Sequence, residues 1–198
     1  MRNSAYLPTF NVRSLRILAA GSLLATLFVL GLSINSRISD ATTPSALPKC
    51  ATSSLDVWFD TVGNGAAGTS YYQMYLTNFS GHTCTLEGYP GVSGVSITQH
   101  QLGSAASRNN IYPTKVITLT SAGAGLSSAT SSNTALVTIG IVDAGNYSAS
   151  TCKPVTAAGL KVYPPSQTAS KFVPFPFSAC SKAGALYLTT SAVEKSVL

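Results

Sequence analysis

From residue 55 onward, apolar and polar positions alternate with a period of two. Leu55, Val57 and Phe59 alternate with Asp56, Trp58 and Asp60, and Tyr72, Met74 and Leu76 with Tyr71, Gln73 and Tyr75. That period marks strands with one buried face, because successive side chains point to opposite sides of a sheet. Gly63-Asn64-Gly65 and Gly68 lie between these segments and supply turn geometry, so the pair reads as a hairpin. Further strands are expected around Val95 and Ile97 and over residues 116–119, 136–142, 160–163, 172–177 and 185–190. The separators are rich in Gly, Ser, Asn and Pro, and no helical stripe interrupts the pattern after Pro44. The expected fold is all-β, an immunoglobulin-like β-sandwich of about 7–8 strands. The run from Asp143 to Tyr147 resembles a tyrosine corner, although position 149 is Ala and the cysteine comes only at Cys152. Tyr89-Pro90-Gly91-Val92 has the residue order of a type II turn, with Gly91 taking the positive φ.

The N-terminus follows a different pattern. Residues 1–16 carry three arginines and no acid, and residues 17–34 (ILAAGSLLATLFVLGLSI) are eighteen positions without a charge. A basic flank ahead of an apolar run is an export signal with its N-terminus in the cytoplasm. Eighteen residues at about 1.5 Å each just reach across a core of about 30 Å. Small residues suited to cleavage occur weakly, at Gly31/Ser33 or Ser39/Ala41, so the length favours an uncleaved signal-anchor over a cleaved signal. The organisation is then a basic cytoplasmic segment 1–16, a signal or signal-anchor helix 17–34, a flexible tether 35–49 and an extracytoplasmic domain 50–198.

Charge sharpens this division. The net charge is +6, yet Arg2, Arg13, Arg16 and Arg37 all flank the apolar run, opposed there by Asp40 alone. From Pro44 onward eight Lys or Arg face five acids, a dispersed +3 with no basic groove, which excludes a nucleic-acid partner. Charged residues make up only 9% of the chain, so its polarity rests on hydroxyls and amides, as suits an exported β-protein.

Four cysteines, Cys50, Cys84, Cys152 and Cys180, lie beyond the export segment, and an even count there implies disulfides. None has C-x-x-C spacing, and His82 and His100 complete no zinc pattern. Of the three possible pairings, Cys50–Cys84 and Cys152–Cys180 are expected, because each pair flanks two consecutive predicted strands and their turn.

The run TNFSGHTCTLEGYPGVS at residues 77–93 is similar to the hallmark of a domain-of-unknown-function family of secreted proteins and lipoproteins in actinobacteria. CKPVTAAGLKVYPP at residues 152–165 and Gly68-x-x-Tyr71 look like further signatures of that family. The resemblance covers roughly residues 50–193 and implies a β-sandwich outside the membrane with no known activity. Cys50 follows Leu-Pro-Lys rather than a lipid-attachment box, so acylation is not implied.

The chemistry argues against an enzyme and names no cofactor or metal. Asp56 and Asp60 share a strand face but stand about 14 Å apart, beyond the span of about 5–9.5 Å used by paired glycosidase carboxylates. No G-x-S-x-G elbow occurs, and Ser150-x-x-Lys153 runs into Pro154, which spoils the helix its chemistry needs. The small-residue run 121–132 lacks the Lys-Ser/Thr ending of a phosphate loop. A non-catalytic extracytoplasmic binding or interaction module is the leading reading, and a structural or envelope-assembly domain without a ligand is the alternative. If the first two strands pair with matched faces, Trp58 falls opposite Tyr75, and Asp56, Asp60, Tyr71 and Gln73 share the outer surface. Flat aromatics beside carboxylates and an amide suit sugar rings, so a cell-wall glycan leads as ligand class. The membrane, through an uncleaved helix, and an envelope protein are the other partners considered.

Overall fold

The computed structural model describes residues 46–121 and 128–198. The apolar run 17–34, and with it the choice between anchor and cleaved signal, lies outside the described residues. Among the described residues no helix is long and apolar enough to cross a membrane.

Thirteen strands organise these residues into three sheets. The first predicted hairpin is built from β1 (Leu55–Phe59) and β3 (Thr69–Asn78), with the short β2 (Asn64–Ala66) folded back onto β3 in the turn. There follow β4 (Cys84–Leu86), β5 (Gly91–Val95), β6 (Gln101–Leu102), β7 (Ser107–Arg108) and β8 (Ile117–Leu119). The second half contributes β9 (Thr134–Val142), β10 (Pro154–Tyr163), β11 (Lys171–Cys180), β12 (Leu188–Thr190) and β13 (Glu194–Lys195). The largest sheet has the order β1-β3-β9-β12-β7, with β2 paired to β3 and β13 to β9. The second has the order β11-β10-β5-β6, and β4 pairs with β8.

The two larger sheets pack their inner faces over one core, which makes the domain an all-β sandwich. Leu55, Val57, Met74, Leu76, Val137 and Ile139 enter it from one side, and Val92, Leu160, Val162 and Val173 from the other. Phe175 of β11 ties the layers together, with its ring 4.9 Å from Phe59 and 4.8 Å from Tyr72. Cys50–Cys84 and Cys152–Cys180 are the two disulfides. The second closes the ends of the β10–β11 hairpin, where Pro154 stands opposite Cys180.

Three local expectations are corrected. Ile97 is not in a strand: β5 ends at Val95, and Ile97 sits 86% exposed in the turn where Ser96 N–H reaches His100 O. Gly91 carries no positive φ, because the chain is already extended there and pairs with Tyr163; Gly88 makes the bend instead, at φ 98°. Tyr147 does not form a tyrosine corner, since its hydroxyl donates to Leu186 O (2.7 Å) far down the chain rather than to nearby upstream backbone.

Asn78, at the end of β3, organises the loop that follows the strand. It is fully buried, and its Nδ2 donates to His82 O (2.8 Å) and Thr120 O (3.0 Å), while its Oδ1 accepts from Ser80 N (3.0 Å) and Ser80 Oγ (2.7 Å). One amide therefore holds the turn after β3 against the end of β8. Asn78→Ala leaves several of these part-buried groups without their partner and is expected to cost about 1–3 kcal/mol, read as a fall in the urea midpoint at unchanged m.

Candidate functional site: an aromatic face and an adjoining cavity

The outer face of the largest sheet carries Trp58, Tyr71 and Tyr75, at positions that alternate with the inward aliphatic side chains of β1 and β3. Trp58 stands directly opposite Tyr75, and Asp56 opposite Thr77. The indole and phenol rings stack with centroids 4.2 Å apart at 21°. Trp58 is half-buried, and Tyr75 lies beneath it at 6% exposure. The sheet thus presents Trp58 and uses Tyr75 as its support.

Hydrogen bonds lock this arrangement. Trp58 Nε1 donates to Thr77 Oγ1 (3.1 Å), which lies 3.1 Å from Thr134 Oγ1, and Thr134 Oγ1 donates to Asn133 Oδ1 (3.0 Å). An indole can only donate, so each hydroxyl passes its own proton along the chain toward Asn133. The Tyr75 hydroxyl donates to Gln73 Oε1 (2.5 Å), leaving the Gln73 NH2 as an outward donor. Burial, and secondly the Asp60 carboxylate, push the Tyr75 phenol above its usual range, so it keeps that proton. Tyr71 is 41% exposed, and its ring lies over Gly140 so closely that a Cβ there would stand 3.1 Å from it. Asp56 and Gln73 are exposed and Asp60 half-buried at the edge of the same surface. By register Asp56 and Trp58 of β1 and Tyr71, Gln73 and Tyr75 of β3 fall on one face of the sheet, with Tyr71 four residues along β3 from Tyr75.

Sequence reasoning missed what continues this face. Through β9, Tyr75 pairs with Leu136 and Gln73 with Thr138, and Leu136 pairs in turn with Glu194 of β13. Trp58, Tyr75, Leu136 and Glu194 therefore form one cross-strand row. At its far end lies a cavity of about 550 Å³, bordered by Thr138, Ser191, Glu194 and Lys195 on the sheet side and by Tyr112 and Lys115 opposite. The isolated charges at 115, 194 and 195 carried no signal in the sequence, since only the register of β13 on β9 brings them to this place. Among the described residues no group of three or more His, Cys, Asp or Glu side chains is placed to hold a metal ion.

Residues 50–194 match a family described as "Domain of unknown function (DUF4232)". The chain belongs to this family. No curated protein and no solved structure matches it. The matched span of the DUF4232 domain runs from the first cysteine to the start of β13, so it takes in both disulfides and the whole aromatic face. Two disulfides are consistent with a location outside the cytoplasm. In the segment after β3, Asn78 and Gly88 shape the loop, and Tyr89 lies under the Arg108 guanidinium at 5.5 Å. His82 contributes backbone rather than its ring, accepting from Asn78.

Proposed function

We propose that this DUF4232 domain is a non-catalytic binding module of the bacterial cell envelope that engages cell-wall glycan through Trp58 and Tyr71. The observation that carries the reading is the Trp58–Tyr75 stack. A large ring is held outward on a rigid strand by a ring beneath it and a hydrogen bond from its own nitrogen. Such pre-positioning lowers the ordering cost of binding. Around it, Gln73, Asp56 and Asp60 supply the donor and acceptors that sugar hydroxyls need. The proposal includes export in an actinobacterium, with residues 17–34 as an uncleaved membrane anchor and residues 35–49 as the tether that lets the domain reach the wall. No catalytic role is assigned, because the carboxylates of the face are spread along one strand rather than gathered about a reacting bond.

The burial of Tyr75 favours a second reading, in which the aromatic pair only steadies the sheet, by about 0.2–1 kcal/mol. Trp58→Ala/Tyr71→Ala separates the two. Retention of the full chain on isolated cell wall is expected to fall at least tenfold, about 1.4 kcal/mol or more, while the melting temperature drops by only a few degrees. Unchanged retention by a folded double variant leaves the structural reading standing.

A further inference from the structure

We infer that the cavity between β13 and residues 109–117 is a second binding site, for a short peptide-like monoanion ending in a carboxylate. It is independent of the glycan reading and does not use Trp58.

The argument begins with how the cavity is made. β12 pairs Thr190 with Ile139, and β13 resumes with Glu194 opposite Leu136. Three residues on one strand thus span two on the other, a bulge that turns the chain out of the ladder. The bulge is fixed at every step. Ser191 N–H donates to Thr138 O (2.9 Å), Thr138 N–H donates to Ser191 Oγ (2.9 Å), and Val193 N–H donates to Gly88 O (2.9 Å). The opposite wall is held at both ends, by Asn109 N–H on Thr190 O (2.8 Å) and by Ile117 in β8. The space is therefore bounded by a fixed bulge on one side and a segment tethered at both ends on the other. Its volume of about 550 Å³ lies within the range of about 300–1,000 Å³ usual for small-molecule sites.

The lining selects the ligand. Tyr112 and the apolar residues of the bulge offer a surface for aliphatic groups, and the exposed Thr138 side chain offers its hydroxyl to an amide. Lys115 and Lys195 bring two positive charges and Glu194 one negative, a net +1 that a single carboxylate balances. All three charged residues are exposed, so they are hydrated when the cavity is empty and free to reorient onto a ligand. Tyr112 is 74% exposed on a wall that otherwise buries nothing with it, which leaves its ring available. Ammonium–carboxylate contacts are the stronger kind of hydrogen bond and would set the preference for an acid over its neutral isostere.

The test uses the full chain in equilibrium dialysis against N-acetyl-alanyl-alanine and, separately, the same dipeptide with its terminus amidated. The acid is expected to bind at least tenfold more tightly than the amide, with the preference shrinking as salt is raised. Lys115→Gln/Lys195→Gln is expected to bring acid binding down to the level of the amide with an unchanged melting temperature, since both lysines are exposed. Trp58→Ala should bind the acid as the parent does. Equal binding of acid and amide, binding of neither, or a preference that survives the double lysine change or is insensitive to salt overturns the assignment. A loss shared by Trp58→Ala overturns it too, by moving the dipeptide onto the aromatic face.

Discussion

Replacing Cys152 and Cys180 by alanine together is expected to lower stability by about 3.5 kcal/mol, and replacing Cys50 and Cys84 by a similar amount. The pairs are 28 and 34 residues apart. In the chain-entropy description a closed loop of that size removes about 3.5 kcal/mol of freedom from the unfolded chain. A domain of this length loses about 2–4 °C of melting temperature per kcal/mol, so each change should appear as a fall of roughly 10 °C. Cys152, two residues before β10, and Cys180, the last residue of β11, are completely buried, so the alanines also leave space in the core. Thermal melts of the two double variants, and of the parent with and without reductant, read the effect directly. A parent that melts at the same temperature after verified reduction would show that sheet packing alone holds the domain. It would also weaken the link between its stability and an oxidising compartment.

The second large effect lies at Tyr187, among the largest fully buried side chains. Its hydroxyl donates to Leu102 O (2.9 Å) and fits into a slot left by Gly94, where an added Cβ would stand 2.3 Å from that oxygen. Gly94→Ala is therefore expected to cost about 1–3 kcal/mol by overpacking. Tyr187→Phe should cost a similar amount by leaving the Leu102 carbonyl without its donor. The two changes are not additive. With the hydroxyl gone, the nearest atoms to the new methyl are Phe177 Cζ at 3.2 Å and Tyr187 Cζ at 3.5 Å, so Gly94→Ala costs less in the Tyr187→Phe background than in the parent. A double-mutant cycle in urea measures this coupling, and additive costs would refute the slot. Burial also raises the Tyr187 phenol well above its ordinary pKa near 10. Above pH 10 the unfolded chain gives up this proton while the folded one keeps it, so stability falls as pH rises, and Tyr187→Phe should flatten that fall.

The strand pattern was legible in the sequence wherever one face of a strand is dry and the other wet. β1 shows period two because its aliphatic face alone is fully buried. β3 shows it in residue type, although Tyr75 and Thr77 on its other face are covered as well. Matching their apolar sides was enough to set Trp58 against Tyr75. The disulfide pairing was legible for a related reason: each cysteine pair brackets one hairpin, so local chain reversal brings its members together. The aromatic face followed from the same alternation, although the depth at which Tyr75 sits did not, because it depends on the indole stacked above it.

Elsewhere the sequence was silent, because neighbours were supplied by distant strands. Ile97 is apolar and reads as strand, yet it caps an exposed turn. Gly91 follows a proline as a turn residue does, but pairing with Tyr163 holds it extended. Asn78 looks like any polar loop residue until the end of β8 closes over it.

Composition and alternation by themselves determined an all-β chain with two local disulfides and one polar aromatic strand face. Tertiary structure alone decided that β13 returns to β9 with a one-residue bulge, carrying Glu194 and Lys195 to the cavity that Lys115 borders. Period and turn chemistry are properties of neighbouring residues and survive in one dimension. A cavity is made by segments about eighty residues apart along the chain, such as 115 and 195, and exists only once the sheet register is fixed.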